Sequence, residues 1–142
     1  RAGQDLTSLV RHVAHEFSGD QDIRLRLQLD SNPVRAVVSA PALMDGLYLI
    51  LHNAARFGGN KKIDIAVQVA DGRSFIQVRD RGQGFSSEAL RRAFDPFYST
   101  SSEGLGLGLP HARSLIELMG GHIELRNKPD GGAEVEISFP SS

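Results

Sequence analysis

Cysteine is missing from this 142-residue chain. That excludes disulfides and thiolate metal sites and is consistent with a reducing compartment. Long hydrophobic runs are missing too: the longest, Leu47 to Leu51, falls far short of the roughly 20 residues that a bilayer-spanning helix needs. Neither sign of charge dominates. Lysine plus arginine number 16 and aspartate plus glutamate 17, a formal net charge of −1, and the two signs are interspersed. No basic stripe points to nucleic acid, and no basic amphipathic helix points to a membrane surface. The chain opens Arg1-Ala2-Gly3 without a methionine or signal-like features, so it is expected to be a domain excised from a longer protein. Its length suits one domain with a real core, and it carries no internal repeat, low-complexity tract or convincing linker.

What is present is periodic. Leu6, Leu9, Val10, Val13 and Phe17 have helical spacing, predicting a helix from Asp5 to Ser18 that stops at Gly19. Ile23 to Leu29 alternates strictly and predicts a strand with one buried face. After the turn Asp30-Ser31-Asn32-Pro33, Val34 to Val38 reads as a short second strand. A long helix is expected from about Pro41 to Phe57, with Leu43, Leu47, Ile50, Leu51 and Ala54 on its core face. Leu49, Asn53 and Arg56 fall on a different stripe, because spacings of four and three keep them together. Ile63 to Val69 and Arg73 to Arg79 form a predicted β-hairpin around Ala70-Asp71-Gly72. A short helix follows from Ser86 to Ala93, capped by Ser86 or Ser87. Phe94 to Gly104 has no period and is expected to be a mobile loop. A third long helix is predicted from about Gly108 to Met119, with Pro110 in its first turn. His122 to Arg126 and Ala133 to Phe139 close the domain as strands around Pro129-Asp130-Gly131-Gly132.

The stretch from Asp80 to Gly108 carries the chemistry. Gly104, Gly106 and Gly108 alternate with Leu105, Leu107 and Leu109 directly before a helix. Glycine lets backbone amides approach an anion, and a helix amino terminus offers unpaired N–H groups, so the run can cradle phosphate. It can equally be a flexible loop stapled by leucines. A Walker loop is excluded because no lysine follows the last glycine, and the dinucleotide fingerprint fails because Ser87 stands where a third glycine belongs. Asp80, followed by Gly82 and Gly84, can accept from an exocyclic amine beside room for a planar ring, or it can simply begin a tight turn. Asn53 offers an oxygen that suits Mg²⁺, and Arg56 one turn on can neutralise phosphate charge. The alternative is a solvated helix face.

Taken in order, N-A-A-R-F, D-R-G-Q-G-F, F-D-P-F and G-L-G-L-G-L resemble the N, G1, F and G2 boxes of the ATP-binding catalytic domain of bacterial sensor histidine kinases. That family shares a superfamily with gyrase, the Hsp90 chaperones and MutL. The resemblance runs from about residue 5 to 140, including the ending G-G-A-E-V-E-I-S-F-P. It implies a Bergerat-type α/β fold: a two-layer sandwich with a mixed, mainly antiparallel sheet packed on one side by three longer helices. By the resemblance, Asn53 binds Mg²⁺ and Arg56 contacts phosphate where lysine is usual. Asp80 holds the adenine amino group, and Gly82 and Gly84 shape the pocket. Phe94 and Phe97 anchor a lid over about residues 94–104. Gly104, Leu105, Gly106, Leu107 and Gly108 cover the phosphates. The implied cofactors are ATP and Mg²⁺. The implied partners are a phosphoacceptor helical hairpin of the same protein and a downstream response regulator, with no nucleic acid. The fragment is expected to be monomeric and the full kinase a homodimer, cytoplasmic or the cytoplasmic part of a membrane-bound sensor.

Two residues depart from the pattern. Leu49 stands one turn before Asn53, where kinases often carry a polar residue and the hydrolysing relatives a glutamate that activates water. Hydrolysis by that route is therefore disfavoured. Leu105 stands where threonine or serine is common. These departures keep open a degenerate nucleotide-binding or docking module, and an anti-sigma-factor-type serine kinase is a further alternative. His15-Glu16 superficially resembles the family's phosphoacceptor box, but Phe17-Ser18-Gly19 follows it, so His15 is not expected to be the acceptor. His12 with His15 has metal-ligand spacing but no evident third ligand.

Overall fold

The computed structural model describes residues 3–20, 23–57, 62–95 and 108–142. The lid residues from Pro96 on, including Phe97, Gly104, Leu105, Gly106 and Leu107, lie outside them.

Two sheets form. The larger has five strands in the order β2 (Arg24–Leu29), β4 (Lys62–Ala70), β5 (Arg73–Asp80), β7 (Ala133–Pro140) and β6 (His122–Asn127). β2 pairs parallel with β4 and every other neighbour pairs antiparallel, as the resemblance implied. Three longer helices, α1 (Leu6–Asp20), α2 (Ala40–Phe57) and α4 (Gly108–Leu118), and the short α3 (Ser87–Arg92) complete the domain. None of the described helices is long and apolar enough to cross a membrane.

Strand alternation decides which face is covered. Leu27, Ile65, Val78, Val135 and Leu125 stand in one cross-strand row, and Leu29, Val67, Ile76, Ile137 and Ile123 in the next. These rows meet Leu6, Val10, Val13 and Phe17 of α1, Leu43, Leu47, Ile50 and Leu51 of α2, and Leu109, Ala112 and Ile116 of α4 in one core. Fully burying each such side chain contributes about 1.5–3 kcal/mol, so the helix layer is held mainly by apolar burial.

Three boundaries differ from the sequence reading. α1 runs through Gly19 to Asp20 instead of stopping at the glycine. The predicted second strand shrinks to β3 (Arg35–Ala36) and leaves the main sheet, pairing with a two-residue strand, β1 (Gln4–Asp5), that periodicity over so short a length cannot reveal. The Leu6 N–H donates to the Val34 carbonyl at 2.8 Å, which fixes α1 against this small sheet.

The uncovered face of the large sheet is polar and internally paired. Arg79, Glu134 and Arg126 are direct cross-strand neighbours. Arg79 Nε donates to Glu134 Oε1 at 2.7 Å, and Arg126 Nη1 bonds the other oxygen of Glu134. Glu136 and Glu124 also face each other, a pairing that would repel, but Arg126 Nη2 bridges them at 3.2 and 2.7 Å. Hydrogen bonds to Glu136 and then Glu134 raise the Arg126 pKa above the ordinary guanidinium value. The Glu124 carboxyl is held below the usual carboxylate value, chiefly by its bond to the His122 ring at 3.1 Å and then by the Arg126 charge. A depressed folded-state pKa contributes stability above the unfolded value, and that stability is lost as pH falls through the folded value. In an NMR titration, the Glu124 carboxyl should therefore titrate below an ordinary glutamate. In His122→Ala its midpoint should move up, remaining low only to the extent that Arg126 holds it. An unmoved midpoint would remove His122 as the cause.

Candidate functional site

The alternation that buries Ile76 and Val78 carries Asp80 to the same face, where its row partner across β4 is Ile63. An acid thus occupies an inward position of an otherwise apolar row and is 7 % exposed. Two backbone N–H groups hold one of its oxygens: Gly82 donates to Oδ1 at 2.9 Å and Ala133 at 3.1 Å. Bonds of this kind to a charged acceptor are worth about 1.5–3 kcal/mol each. Among the described residues nothing bonds Oδ2, so the carboxylate is fixed through one oxygen and offers the other as an acceptor.

The loop after Asp80 is held from outside. Arg81 Nη2 reaches Asp64 Oδ2 on β4 at 3.4 Å. Gly84 has φ +84°, and a Cβ there would stand 2.6 Å from Asn127 Oδ1, so both conformation and packing require glycine. Asn127 then bonds Phe85 twice, accepting from its N–H at 2.6 Å and donating to its carbonyl at 2.9 Å. Ser86 caps α3, its hydroxyl accepting from the Ala89 N–H at 3.0 Å, which settles the choice between two candidate caps. Phe94 follows α3, packs half-buried against the core, and lies under the Arg113 guanidinium of α4 at 5.0 Å.

The remaining predicted residues among those described, Asn53, Arg56 and Gly108, lie on α2 and α4, which pack on each other, and α2 also packs on β5. Asn53 is half-buried on α2 and Arg56 exposed in its last turn. Leu49, on the same stripe as Asn53 and Arg56, packs half-buried at the margin of the core. Gly108 opens α4, and among the described residues nothing lies within 4 Å of where its Cβ would stand. Among the described residues no group of three His, Asp or Glu could hold a metal. The donor set is one amide oxygen, Asn53, which suits a cation that keeps waters and takes further oxygens from a phosphate chain. His12 and His15 are exposed on α1, and His52 meets Phe17 edge-on at 5.1 Å. The polar groove on the opposite face of the sheet, lined by Gln28, Asp30, Gln68, Gln77 and Arg79, has Gln68, Gln77 and Arg79 already bonded to one another.

Sequence reasoning missed Asn127, Gly132, Ala133 and Arg113. Pro129-Asp130-Gly131-Gly132 was legible as the turn between the last two strands, with nothing in it to mark a role at the site.

Asp80 at the end of β5, Asn53 on α2 and Gly108 at the start of α4 are thus among the described members of the four boxes. Residues 38–142 match the family described as histidine kinase-, DNA gyrase B-, and HSP90-like ATPase. The chain belongs to that family and is its histidine-kinase type of catalytic domain. It is similar to the sensor histidine kinase ZraS of Klebsiella oxytoca, 33% identical over 149 aligned positions that cover 96% of this chain and 30% of that protein. The chain thus spans about a third of such a relative's length. Its fold is similar to the nucleotide-free catalytic domain of histidine kinase ThkA, with a TM-score of 0.86 at 25% identity, covering 99% of this chain and 95% of that one. It is also similar to full-length ShkA in complex with AMPPNP, with a TM-score of 0.82 at 26% identity, covering 99% of this chain and 31% of that one.

Gly132, at φ +91°, abuts the Asp80 backbone: a Cβ would overlap the Asp80 carbonyl oxygen. Gly131, at φ +103°, has open space in the same place. Both alanine variants should lose about 1–3 kcal/mol to backbone strain. Gly132→Ala should lose more, because it also displaces Asp80. Urea denaturation measures the difference, and equal losses would show that the Asp80 contact contributes nothing.

Proposed function

We propose that this domain binds Mg-ATP between α2, the loop after Asp80 and the amino terminus of α4. It then presents the γ-phosphate to a histidine on a separate phosphoacceptor hairpin. The observation that carries the reading is Asp80: a buried carboxylate fixed through Oδ1 with Oδ2 left as an acceptor, in a chain of the histidine-kinase ATPase type. Oδ2 accepts from the adenine amino group. Gly82 and Gly84 keep the backbone beside the ring. Asn53 supplies an oxygen ligand to Mg²⁺, and Arg56 contacts phosphate. A Mg²⁺ held there would neutralise charge on the phosphates.

In the transfer, a nitrogen of the acceptor imidazole forms a bond to the γ-phosphorus while the bond from phosphorus to the β,γ-bridging oxygen breaks. ADP leaves, and the proton is lost from the acceptor's ring to a base of its own domain. The catalytic domain contributes position and charge neutralisation. Leu49 supports transfer over hydrolysis, because an aliphatic side chain packed at the core margin cannot activate water. Gly108 and the glycines at 104 and 106, with Leu105 and Leu107, are assigned to the phosphates, and Phe94 and Phe97 to anchoring the segment that covers them. The whole protein is read as a homodimeric sensor that passes phosphate to a response regulator. It would be cytoplasmic, or the cytoplasmic part of a membrane-bound sensor.

Two variants at one position test the base assignment. Asp80→Asn keeps an oxygen for Gly82 and Ala133 but turns an NH₂ toward the adenine amine, donor against donor. Its melting temperature should stay near wild type while calorimetric ADP affinity falls by about tenfold or more. Asp80→Ala should lose affinity and stability together, since it strands the buried Ala133 N–H. Wild-type affinity in folded Asp80→Asn would sink the adenine assignment.

Phosphate transfer has its own test. With [γ-³²P]ATP, the chain alone should take up no acid-labile label, because none of its five histidines is assigned as acceptor. Label should appear on an acceptor hairpin of the full protein supplied in trans. Label on this chain would restore His15 as a candidate. No transfer despite ADP binding would favour the degenerate-module reading.

A further inference from the structure

We infer that Asn127 is a positioning residue for base recognition, closing a clamp in which one hairpin turn holds both ends of the Asp80–Phe85 loop. The inference rests on the reading of Asp80 as the adenine contact. Asn127 ends β6, and its backbone partner on β7 is Ala133. Ala133 holds the near end of the loop by donating to Asp80 Oδ1 at 3.1 Å. The side chain of Asn127 holds the far end, with its carboxamide paired to both the N–H and the carbonyl of Phe85 at 2.6 and 2.9 Å. That double bond pattern fixes the amide orientation and imitates one rung of a strand ladder where the ladder has ended.

Between the two anchors the loop contains two glycines, the residues least able to hold a backbone still. At Gly84 the side chain of Asn127 also fills the space that a Cβ would need. The turn that carries the clamp is itself closed, with Lys128 N–H donating to the Gly132 carbonyl at 2.9 Å and Gly131 N–H to the Lys128 carbonyl at 3.1 Å. Without the carboxamide, Asp80 keeps Oδ1 bound, but the far end of the loop that limits where a ring can lie loses both side-chain hydrogen bonds to its backbone and is held by the packing of Phe85. Asn127 touches no base in this arrangement. It acts through Phe85 and Gly84 on the alignment between the ring and Asp80 Oδ2.

The test compares ADP with inosine diphosphate, in which an oxo group replaces the amino group, using calorimetry on the chain and its variants, with thermal unfolding in parallel. The unaltered chain should prefer ADP. Asn127→Ala should bind ADP about tenfold more weakly and inosine diphosphate almost as before, so that the preference narrows. Asn127→Asp should narrow it too, because a carboxylate can accept from the Phe85 N–H but repels the Phe85 carbonyl; it carries the test if the alanine variant does not fold. An unchanged preference in a folded variant, or equal loss for both nucleotides, overturns the role of Asn127 while leaving the base reading intact. Equal affinity of the unaltered chain for the two nucleotides overturns the base reading, and this inference with it.

Discussion

The site depends on one oxygen of Asp80 accepting two backbone N–H groups, from Gly82 and Ala133, at the buried end of β5. An acid on an apolar face is costly unless its hydrogen bonds are satisfied, and losing a partner strands a buried polar group. Here satisfaction comes from backbone, which does not rotate away. The same two bonds therefore solve a folding problem and aim the second oxygen. Much of the surrounding geometry follows. Gly132 must lack a side chain because the β6–β7 turn approaches the Asp80 carbonyl closely enough for Ala133 to reach the carboxylate.

The two faces of the large sheet divide the labour. One is a nearly continuous set of apolar rows under α1, α2 and α4, broken by polar residues near the strand ends, at Ser74, Asp80 and Asn127. The other is charged, and its charges are ordered by register. Glu134, buried, has two arginines beside it, and Arg126 stands between glutamates that would otherwise repel. A buried carboxylate left without those arginines would destabilise the sheet, whereas paired it roughly breaks even. The pairing joins β5, β7 and β6, the strands that carry Asp80 and its clamp, so the uncovered face helps keep the covered one in register.

Much of the architecture was legible in residue order. The I-R-L-R-L-Q-L alternation of β2, the hairpin around Asp71-Gly72 and the long α2 with Pro41 in its first turn all appear within a residue or two of expectation. Asp80 was expected at a strand end and lies there, buried. The reading failed where length or distance defeats periodicity. β1 and β3 have two residues each and exist only because they pair with one another. α1 passes Gly19 because an exposed glycine weakens a helix without forcing it to end. A helical projection put Leu49 on a stripe apart from the core face, and only the packed structure shows that it lies half-buried at the core margin.

By itself, then, the sequence determined most of the segments that are helix or strand, because these are written in local period and residue type. It also specified the family, through the order of four short boxes. Only the tertiary structure decided how Asp80 is held and by what. Asn127 meets Phe85 across 42 positions of chain, and Ala133 meets Asp80 across 53. Contacts at that separation are made by strand pairing and turn geometry. They involve an asparagine, a glycine and a backbone N–H to which the sequence alone assigned no role beyond a turn and the start of a strand.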